Sequence, residues 1–461
     1  MALVGAFILP HPPVIIPAVG KGEEKRIHKT TEAYQKAAGK IAELKPETIV
    51  VTTPHSVLYS DYLHISPGKS ASGSFRQFGV SGPSAEFAYD TGFVKALTEE
   101  AGKAGVPAGT FGEKDPSVDH GTLVPLTFVN GAYRGYKLVR CSISGLGPAV
   151  HYEFGRCIAR TAEKLGRRTV LIASGDLSHK LTESGPYGYA EEGPRFDREV
   201  TDAMKAGDFL RFLTFDPDFC EAAAECGLRS FQILAGAFDG AAVRPDFLSY
   251  EGPFGVGYAV CAFLPAGPDT SRNIGEQYRN WERSAMRECR KHEDEYARLA
   301  RLSLESWVRD GKRASLPKEL SSGLLNRRAG VFVSLKKDGE LRGCIGTILP
   351  VQGCVADEIV RNAVSAGTRD PRFDPVTADE LPDLVYSVDV LGKTEPAPSM
   401  DALDAKRYGV IVRCGDRCGL LLPNLAGVDT PHQQVEIALR KGRIRPDEPF
   451  RMERFEVVRH K

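Results

Sequence analysis

The feature that most constrains the fold is an arrangement that occurs twice near the start of the chain. Residues 3–10 form a continuous apolar run that stops just before His11. A helical spacing of apolar residues follows over 23–44, and a second apolar run, 48–52, stops shortly before His55. Apolar runs bounded by breaking residues are typical of fully buried strands. The pattern therefore predicts buried strands joined by a helix, with a histidine just past the end of each strand.

The alternation continues and divides the chain in two. Strand patterns recur at 138–144, 169–173 and 255–264, and helical patterns at 92–105 and 148–166. Strands alternating with helices predict an α/β fold with a doubly wound sheet. A proline- and glycine-rich linker at 265–270 precedes a long amphipathic helix predicted over 276–313, after which short strands mix with helices as in a smaller α+β domain. We therefore expect two domains, residues 1–268 and 276–461.

Composition excludes several classes of protein. The 461 residues contain 60 basic and 60 acidic side chains, so nothing in the charge supports nucleic acid or an anionic membrane as the main partner. No run of 18 apolar residues is present, which argues against a transmembrane helix. The apolar start lacks the basic region of a signal peptide, and the ten cysteines show no paired spacing. We expect a cytoplasmic protein with reduced thiols.

Four histidines lie at predicted strand ends or in turns rich in glycine and aspartate: His11, His55, His120 and His179. Ligands of open α/β sheets bind beyond the carboxyl ends of the strands, so these side chains can converge. Imidazoles at strand ends are good ligands for iron, zinc or manganese, which makes His11 and His55 candidate metal ligands. His120 and His179 are candidate acid–base groups, because histidine titrates near neutral pH.

Glu251 is the candidate third ligand. It lies among apolar neighbours just before a glycine-rich strand, where a carboxylate is costly unless it is paired or bound to metal. Two histidines and one carboxylate form the facial triad of non-haem Fe(II) enzymes. Each residue also has a purely structural interpretation. His11, His55 and His120 can stabilise turns, His179 can start a helix, and Glu251 can belong to a surface turn.

Residues 1–265 resemble the class III extradiol ring-cleavage dioxygenases, in their catalytic LigB type, and the non-enzymatic Memo relatives. The resemblance rests on five motifs in family order: His11-Pro12-Pro13, Thr53-Pro54-His55, Asp119-His120-Gly121, Ser174 to His179, and Tyr250-Glu251-Gly252. It implies that His11, His55 and Glu251 bind Fe(II), that His179 is the acid–base group and that His120 contacts the reacting oxygen. Memo relatives typically have cysteine at the position of Glu251, so Glu251 favours a dioxygenase-type site.

The resemblance implies an extradiol dioxygenase that opens a small aromatic diol or aminophenol with O₂. Substrate specificity is expected in the loops near 56–90 and 180–196, and homo-oligomers are common in this type of enzyme. The metal can also be zinc or manganese. One alternative is a Memo-like scaffold that binds metal or peptide and works with a radical-SAM protein. Another is a zinc hydrolase that uses the same triad.

The second domain resembles the AMMECR family. The resemblance rests on three segments: Leu341 to Thr347, Thr368 to Phe373, and Gly419 to Pro423. Five of their side chains can line one pocket: Arg342, Cys344, Arg369, Asp370 and Arg372. Neighbouring arginines lower a cysteine pKa, whereas a small buried cysteine in a glycine-flanked turn is inert. The family is found together with Memo-type and radical-SAM proteins, and its motif does not indicate a reaction.

Overall fold

The computed structural model describes residues 2–81, 84–317, 319–337, 340–425 and 427–461. It divides into two compact units, Met1–Asn280 and Trp281–Lys461. Residues 82 and 83, which belong to the predicted specificity loop 56–90, lie outside the described residues. Within the described ranges, no helix has both the length and the apolar character that crossing a bilayer requires.

The first unit is built on a six-stranded mixed sheet. Its strands and those of two small ribbons are β1 (Leu3–Leu9), β2 (Thr48–Thr53), β3 (Leu63–His64), β4 (Ser70–Gly73), β5 (Ala85–Ala88), β6 (Ala108–Gly109), β7 (Lys137–Ser142), β8 (Thr169–Ser174), β9 (Ala241–Glu251) and β10 (Tyr258–Pro268). The order in the large sheet is β7-β2-β8-β1-β10-β9. Strands β7, β2, β8 and β1 are parallel, and β10 is antiparallel to both β1 and β9.

Helices cover both faces of this sheet. They are α1 (Pro17–Gly20), α2 (His28–Leu44), α3 (Thr91–Lys103), α4 (His120–Ala132), α5 (Pro148–Leu165), α6 (Glu192–Ala206), α7 (Phe209–Leu213), α8 (Pro217–Ala223) and α9 (Leu228–Ala237). The next helix, α10 (Ile274–His292), begins in the first unit and ends in the second. Successive residues of a strand point to opposite faces. Thus Ile8 belongs to the core that contains α5 and α9, and Phe7 to the core that contains α2 and α4. Burial on both faces explains the continuous apolar runs and confirms the doubly wound α/β prediction.

The single helix predicted over 276–313 is wrong. The chain forms two helices there, α10 and α11 (Glu295–Asp310). The carboxylate of Asp294 accepts hydrogen bonds from the backbone N–H groups of Tyr296 and Ala297, both at 3.0 Å. An aspartate that caps backbone N–H groups in this way starts a new helix. The apolar spacing alone did not reveal the interruption, because it continues through both helices.

The second unit is α+β, as predicted. Besides α11 it contains β11 (Val331–Lys337), β12 (Glu340–Gly346), β13 (Leu384–Leu391), β14 (Glu395–Ala397), β15 (Gly409–Cys414), β16 (Arg417–Leu421), β17 (Arg451–Phe455), β18 (Val457–His460), α12 (Ser322–Leu325), α13 (Val355–Thr368) and α14 (Pro431–Lys441). Two antiparallel sheets have the orders β12-β11-β13-β18 and β14-β17-β15-β16. Alternate residues of β11, beginning with Val331, face the core formed with α11 and α13.

Candidate metal and acid–base site

Two histidines from separate strands converge at the carboxyl edge of the large sheet. His11 follows β1 by two residues and His55 follows β2 by two residues. Only β8 separates these parallel strands, so their ends face the same edge. The Nε2 atoms of the two rings lie 2.9 Å apart, with the ring planes at 83°. Two imidazole nitrogens from separate strands are therefore adjacent to each other.

Cys226 is the third member of this group. It lies in the loop between α8 and α9, and its Sγ atom is 3.6 Å from Nε2 of His11. The ligand atoms of His11, His55 and Cys226 all lie within 4.8 Å of one another, and the described part of the chain contains no other such group. In a tetrahedral zinc site, two nitrogen ligands lie ~3.3 Å apart and a nitrogen and a sulfur ~3.6 Å apart. The distance from Cys226 Sγ to His11 Nε2 matches this geometry, and the two histidine nitrogens lie somewhat closer together than it requires, so the group is a candidate metal site.

Glu251, the third ligand expected from the sequence, does not lie in this group. Its Oε2 atom accepts hydrogen bonds from the backbone N–H and the hydroxyl of Thr30, at 2.7 and 2.8 Å. The carboxylate thus stabilises the first turn of α2. Glu251 ends β9, which lies two strands from β1, or about 10 Å at the usual strand spacing. Cys226 was not among the ligands predicted from the sequence, because the Memo resemblance places a cysteine at the position of Glu251 and not in this loop.

The hydrogen bonds of His11 fix which nitrogen carries its proton. The hydroxyl of Ser174 donates to the carbonyl of Gly121, so its oxygen accepts the Nδ1–H of His11 at 2.9 Å. This leaves a lone pair on Nε2, which faces His55 and Cys226. Burial, followed by the neighbouring imidazoles of His55 and His120, lowers the pKa of His11 well below its usual value. The ring is therefore neutral at neutral pH, as a metal ligand must be.

The other two members of the group are also uncharged at neutral pH. Desolvation and the neighbouring His120 lower the pKa of His55 to about 4. For Cys226, desolvation followed by the carboxyl groups of Asp176 and Glu225 raises the thiol pKa well above its usual value. A metal ion would have to displace the thiol proton when it binds.

Asp176 lies against the same group. Its Oδ1 atom accepts the backbone N–H of His11 at 2.7 Å, and its Oδ2 atom is 3.9 Å from Nε2 of that residue. Its own backbone N–H donates to the sulfur of Cys226 at 3.3 Å. Burial raises the pKa of the Asp176 carboxyl to about 7. This residue therefore connects the turn after β8 with two of the three candidate ligands.

His120 flanks the group on one side. It is the first residue of α4, and its ring stacks on that of His55 with the centroids 4.1 Å apart. The preceding residue, Asp119, caps α4 by accepting the N–H of Thr122 at 3.0 Å and also accepts the hydroxyl of Thr53 at 2.7 Å. Desolvation lowers the pKa of His120. The local sequence thus anchors the start of α4 to the end of β2.

His179 is the other flanking histidine. Its Nδ1–H donates to the carbonyl of Ala224 at 2.6 Å, so Nε2 carries the lone pair of the neutral ring. Desolvation lowers its pKa. Ala224 adopts a left-handed conformation with φ of 52°, which is uncommon for a residue other than glycine. The turn points the carbonyl of Ala224 at His179, and Cys226 follows two residues later in the same loop.

Three of the five predicted residues of the second unit are joined by hydrogen bonds. The carboxylate of Asp370 accepts the backbone N–H of Cys344 at 2.9 Å and two bonds from the Arg372 guanidinium, at 2.9 and 2.7 Å. Arg342 forms a separate bidentate pair with Glu380, with both distances 2.9 Å. Arg369 ends α13 with its side chain exposed.

Cys344 lacks the environment of an activated thiol. Burial raises its pKa, and the nearby Arg372 opposes this effect only in part. The Ser334 hydroxyl donates to its sulfur at 3.3 Å. Arg372 is already paired with Asp370, whose pKa its hydrogen bonds lower to about 2. Asp370 and Arg372 therefore form an ion pair within the turn that follows α13.

Comparisons with known proteins agree with this architecture. Residues 5–261 match the family model described as the catalytic LigB subunit of aromatic ring-opening dioxygenase, and residues 297–460 match AMMECR1. A protein of Clostridium acetobutylicum is 40% identical over 478 residues, covering 100% of both chains. One from Thermotoga maritima is 47% identical over 171 residues, covering 37% of this chain and 98% of that protein.

Among solved structures, one from Pyrococcus horikoshii is 29% identical, with a TM-score of 0.34, and covers 36% of this chain and 88% of its own. The family model for the first unit spans more than half of the chain, and the Clostridium relative matches it from end to end. The chain belongs to the LigB family and carries an AMMECR1 domain after its LigB domain.

Proposed function

We propose that the first unit is a metal-dependent enzyme that binds an aromatic diol or aminophenol at a metal held by His11, His55 and Cys226 and opens its ring with O₂. The observation that carries the proposal is the convergence of two imidazole nitrogens and a thiol sulfur within 4.8 Å, between two further histidines. Membership of a family of ring-opening dioxygenases supports the reaction type.

The donor set bears on the choice of metal. Two imidazoles and a thiol suit iron or zinc, whereas manganese prefers oxygen ligands. Glu251 is held by Thr30, so the residues do not assemble the two-histidine, one-carboxylate set of the usual Fe(II) oxygenases. We propose Fe(II) as the working metal, with zinc as the alternative. A bound metal would act as a Lewis acid and orient a chelating substrate.

His179 is the proposed acid–base group. The Ala224 carbonyl fixes its Nδ1–H, which leaves Nε2 free to take a proton from a substrate hydroxyl and return it later. Desolvation lowers the pKa of the ring, so the neutral, proton-accepting form is present at neutral pH. His120, stacked on His55, is proposed to contact the reacting oxygen.

The test begins with protein purified without oxygen and loaded with Fe(II) or zinc. Metal content is measured first, and oxygen uptake is then measured with catechol and 2-aminophenol. We expect one metal ion per chain and oxygen uptake with the iron form. His179→Gln should retain the metal and lose about 10²–10⁴-fold in turnover, the usual contribution of a general acid–base group. Wild-type protein that binds no metal, or an unimpaired His179→Gln variant, would contradict the proposal.

A second candidate function follows from the thiol. Cys226, and not Glu251, is the third candidate ligand, so the group lacks the carboxylate that favoured a dioxygenase-type site. The alternative is a Memo-like binding protein that works with a radical-SAM partner. This alternative predicts one bound metal per chain, no oxygen uptake with either compound, and stable association of the purified protein with a purified radical-SAM protein. Oxygen uptake with the iron form would exclude it.

A further inference from the structure

Two aromatic side chains from distant loops contact the two flanking histidines. The ring of Phe78 lies 5.6 Å from that of His120, in an edge-to-face arrangement at 79°. The ring of Tyr187 lies 5.3 Å from that of His179, edge-to-face at 89°. Phe78 belongs to the segment between β4 and β5, and Tyr187 to the segment between β8 and α6. Each of the histidines next to the candidate ligands thus has one aromatic ring against it.

Both aromatic residues remain partly open to solvent. Tyr187 is 62% exposed, although its ring packs against His179. Phe78 is half-buried at the end of a single 3-10 turn, Arg76–Phe78. A single exposed aromatic residue is common on protein surfaces and needs no explanation. Here two aromatic rings each contact a different histidine beside the candidate metal ligands His11, His55 and Cys226. This arrangement is more specific than a single exposed aromatic residue.

The turn that carries Tyr187 is anchored by its backbone. The N–H of Leu181 donates to the carbonyl of Gly255 at 3.1 Å, and the N–H of Ala190 donates to that of Lys180 at 3.2 Å. A Cβ atom on Gly185 would lie 3.0 Å from the Cα of Gly255, which shows how closely the two backbones approach. The backbone on both sides of Tyr187 is therefore anchored, and the Tyr187 ring contacts His179 from this turn.

We propose that Phe78 and Tyr187 are specificity residues whose rings pack against the ring of an aromatic ligand bound at the His11/His55/Cys226 group. This inference rests on the proposed function, since it needs a metal at that group to hold the ligand. Aromatic rings attract one another in edge-to-face and offset arrangements, so a planar aromatic chelator gains affinity that a non-aromatic chelator does not. The Tyr187 hydroxyl plays no part, so phenylalanine replaces tyrosine without loss.

The experiment compares two chelators on the zinc-loaded full-length protein. 4-Nitrocatechol and acetohydroxamate each offer two oxygen atoms to a metal, but only the first has an aromatic ring. Their affinities are measured by titration for wild type, Tyr187→Ala, Tyr187→Phe and Phe78→Ala. Tyr189→Ala is the matched control, because Tyr189 lies on the same segment, is 49% exposed and is assigned no contact with the ligand. Metal content is determined for every variant first.

We expect Tyr187→Ala and Phe78→Ala each to weaken 4-nitrocatechol binding about tenfold, the upper end of the effect of one aromatic contact. The affinity of every variant for acetohydroxamate should stay within twofold of the wild-type value. The affinities of Tyr187→Phe and Tyr189→Ala for 4-nitrocatechol should also stay within twofold of the wild-type value. Equal weakening of both chelators, or no weakening in metal-replete alanine variants, would overturn this inference alone. Wild-type protein without bound zinc would overturn the proposed function and this inference together.

Discussion

Glu251 holds Thr30 through two hydrogen bonds to one carboxylate oxygen, from the backbone N–H at 2.7 Å and from the hydroxyl at 2.8 Å. The pair joins the end of β9 to the first turn of α2, residues 221 positions apart in the chain. The carboxylate that resembled a metal ligand in the sequence therefore secures a helix, and a cysteine outside the five motifs takes the position beside the histidines.

Separate substitutions of Cys226 and Glu251 distinguish a metal ligand from a residue that stabilises a helix. Cys226→Ala should lose most of the bound metal, because one of three ligands is removed. Glu251→Gln should keep one metal per chain and lower the free energy of unfolding by about 1–2 kcal/mol, since it weakens hydrogen bonds to a charged group. Metal analysis and urea unfolding measure the two effects. Metal loss in Glu251→Gln with full retention in Cys226→Ala would contradict the assignment.

Metal binding should release one proton near neutral pH. Both ligand histidines have lowered pKa values, about 4 for His55, so they are already unprotonated and release nothing. The thiol of Cys226 has a raised pKa and must lose its proton to bind. Zinc affinity should therefore rise about tenfold per pH unit above pH 7, where the Asp176 carboxyl, with a pKa of about 7, is mostly ionised already. Calorimetry in buffers of different ionisation enthalpy counts the protons, and a count of zero or two would be inconsistent with this ligand set.

Gly121 is expected to be essential for the position of His55. A Cβ atom there would overlap Oγ1 of Thr53, lie 3.0 Å from Oδ1 of Asp119 and 3.4 Å from the His55 ring. Gly121→Ala should cost about 1–3 kcal/mol of stability as an overpacked site. It should also weaken zinc binding by about 10–100-fold, as changes next to metal ligands do.

The matched control lies on the same helix. A Cβ atom on Gly131 would meet no atom within 4 Å. Gly131→Ala should leave zinc affinity unchanged and raise stability by up to about 1 kcal/mol, because alanine favours the helix. Equal zinc affinities in the two variants would show that the close approach at Gly121 does not position His55.

Asp197 should make the protein less stable as pH rises. Burial raises its pKa to about 7, although the Tyr250 hydroxyl and the N–H of Ser178 donate to it at 2.6 and 2.8 Å. Between about pH 4 and 7 the folded state keeps a proton that the unfolded state has lost. Stability therefore falls with increasing pH, by up to about 1.4 kcal/mol per unit from this group.

Asp197→Asn should reduce this pH dependence, whereas Asp202→Asn, an exposed change on the same helix, should leave it unchanged. Urea unfolding at pH 5, 6 and 7 provides the measurement. Unfolding should be followed by circular dichroism and not by tryptophan fluorescence. The two tryptophans, Trp281 and Trp307, belong to the second unit, whereas Asp197 belongs to the first. An identical slope in wild type and Asp197→Asn would mean that this carboxyl is ionised in the folded protein.

Cys344 should react slowly with alkylating agents. Burial raises its pKa, whereas Cys289 on α10 is exposed. At pH 7.5, iodoacetamide should label Cys289 at least about tenfold faster than Cys344, because the thiolate is the reactive form and must be accessible. Peptide mass spectrometry gives both rates in one sample, and urea-unfolded protein is the control in which they should become similar. Faster labelling of Cys344 would indicate an activated thiol.

Much of the fold follows from local sequence. The apolar runs before His11 and His55 predict β1 and β2, because a strand that is buried on both faces is apolar along most of its length and does not alternate with charged residues. The residues that follow those strands could be expected at one sheet edge, because the carboxyl ends of parallel strands lie on the same side of the sheet. The break between α10 and α11 was not visible, because it depends on one capping aspartate within a continuous apolar spacing.

The spacing of apolar residues was enough to predict the α/β and α+β units and the residues that follow the parallel strands. Which of those side chains meet depends on how the chain folds in space. Cys226 lies 215 residues from His11 in the chain, and a left-handed turn at Ala224 directs its loop to the site. Glu251 lies at the same sheet edge but two strands away, beside the start of α2. Strand order and loop conformation set these distances, and both depend on contacts between segments far apart in the sequence.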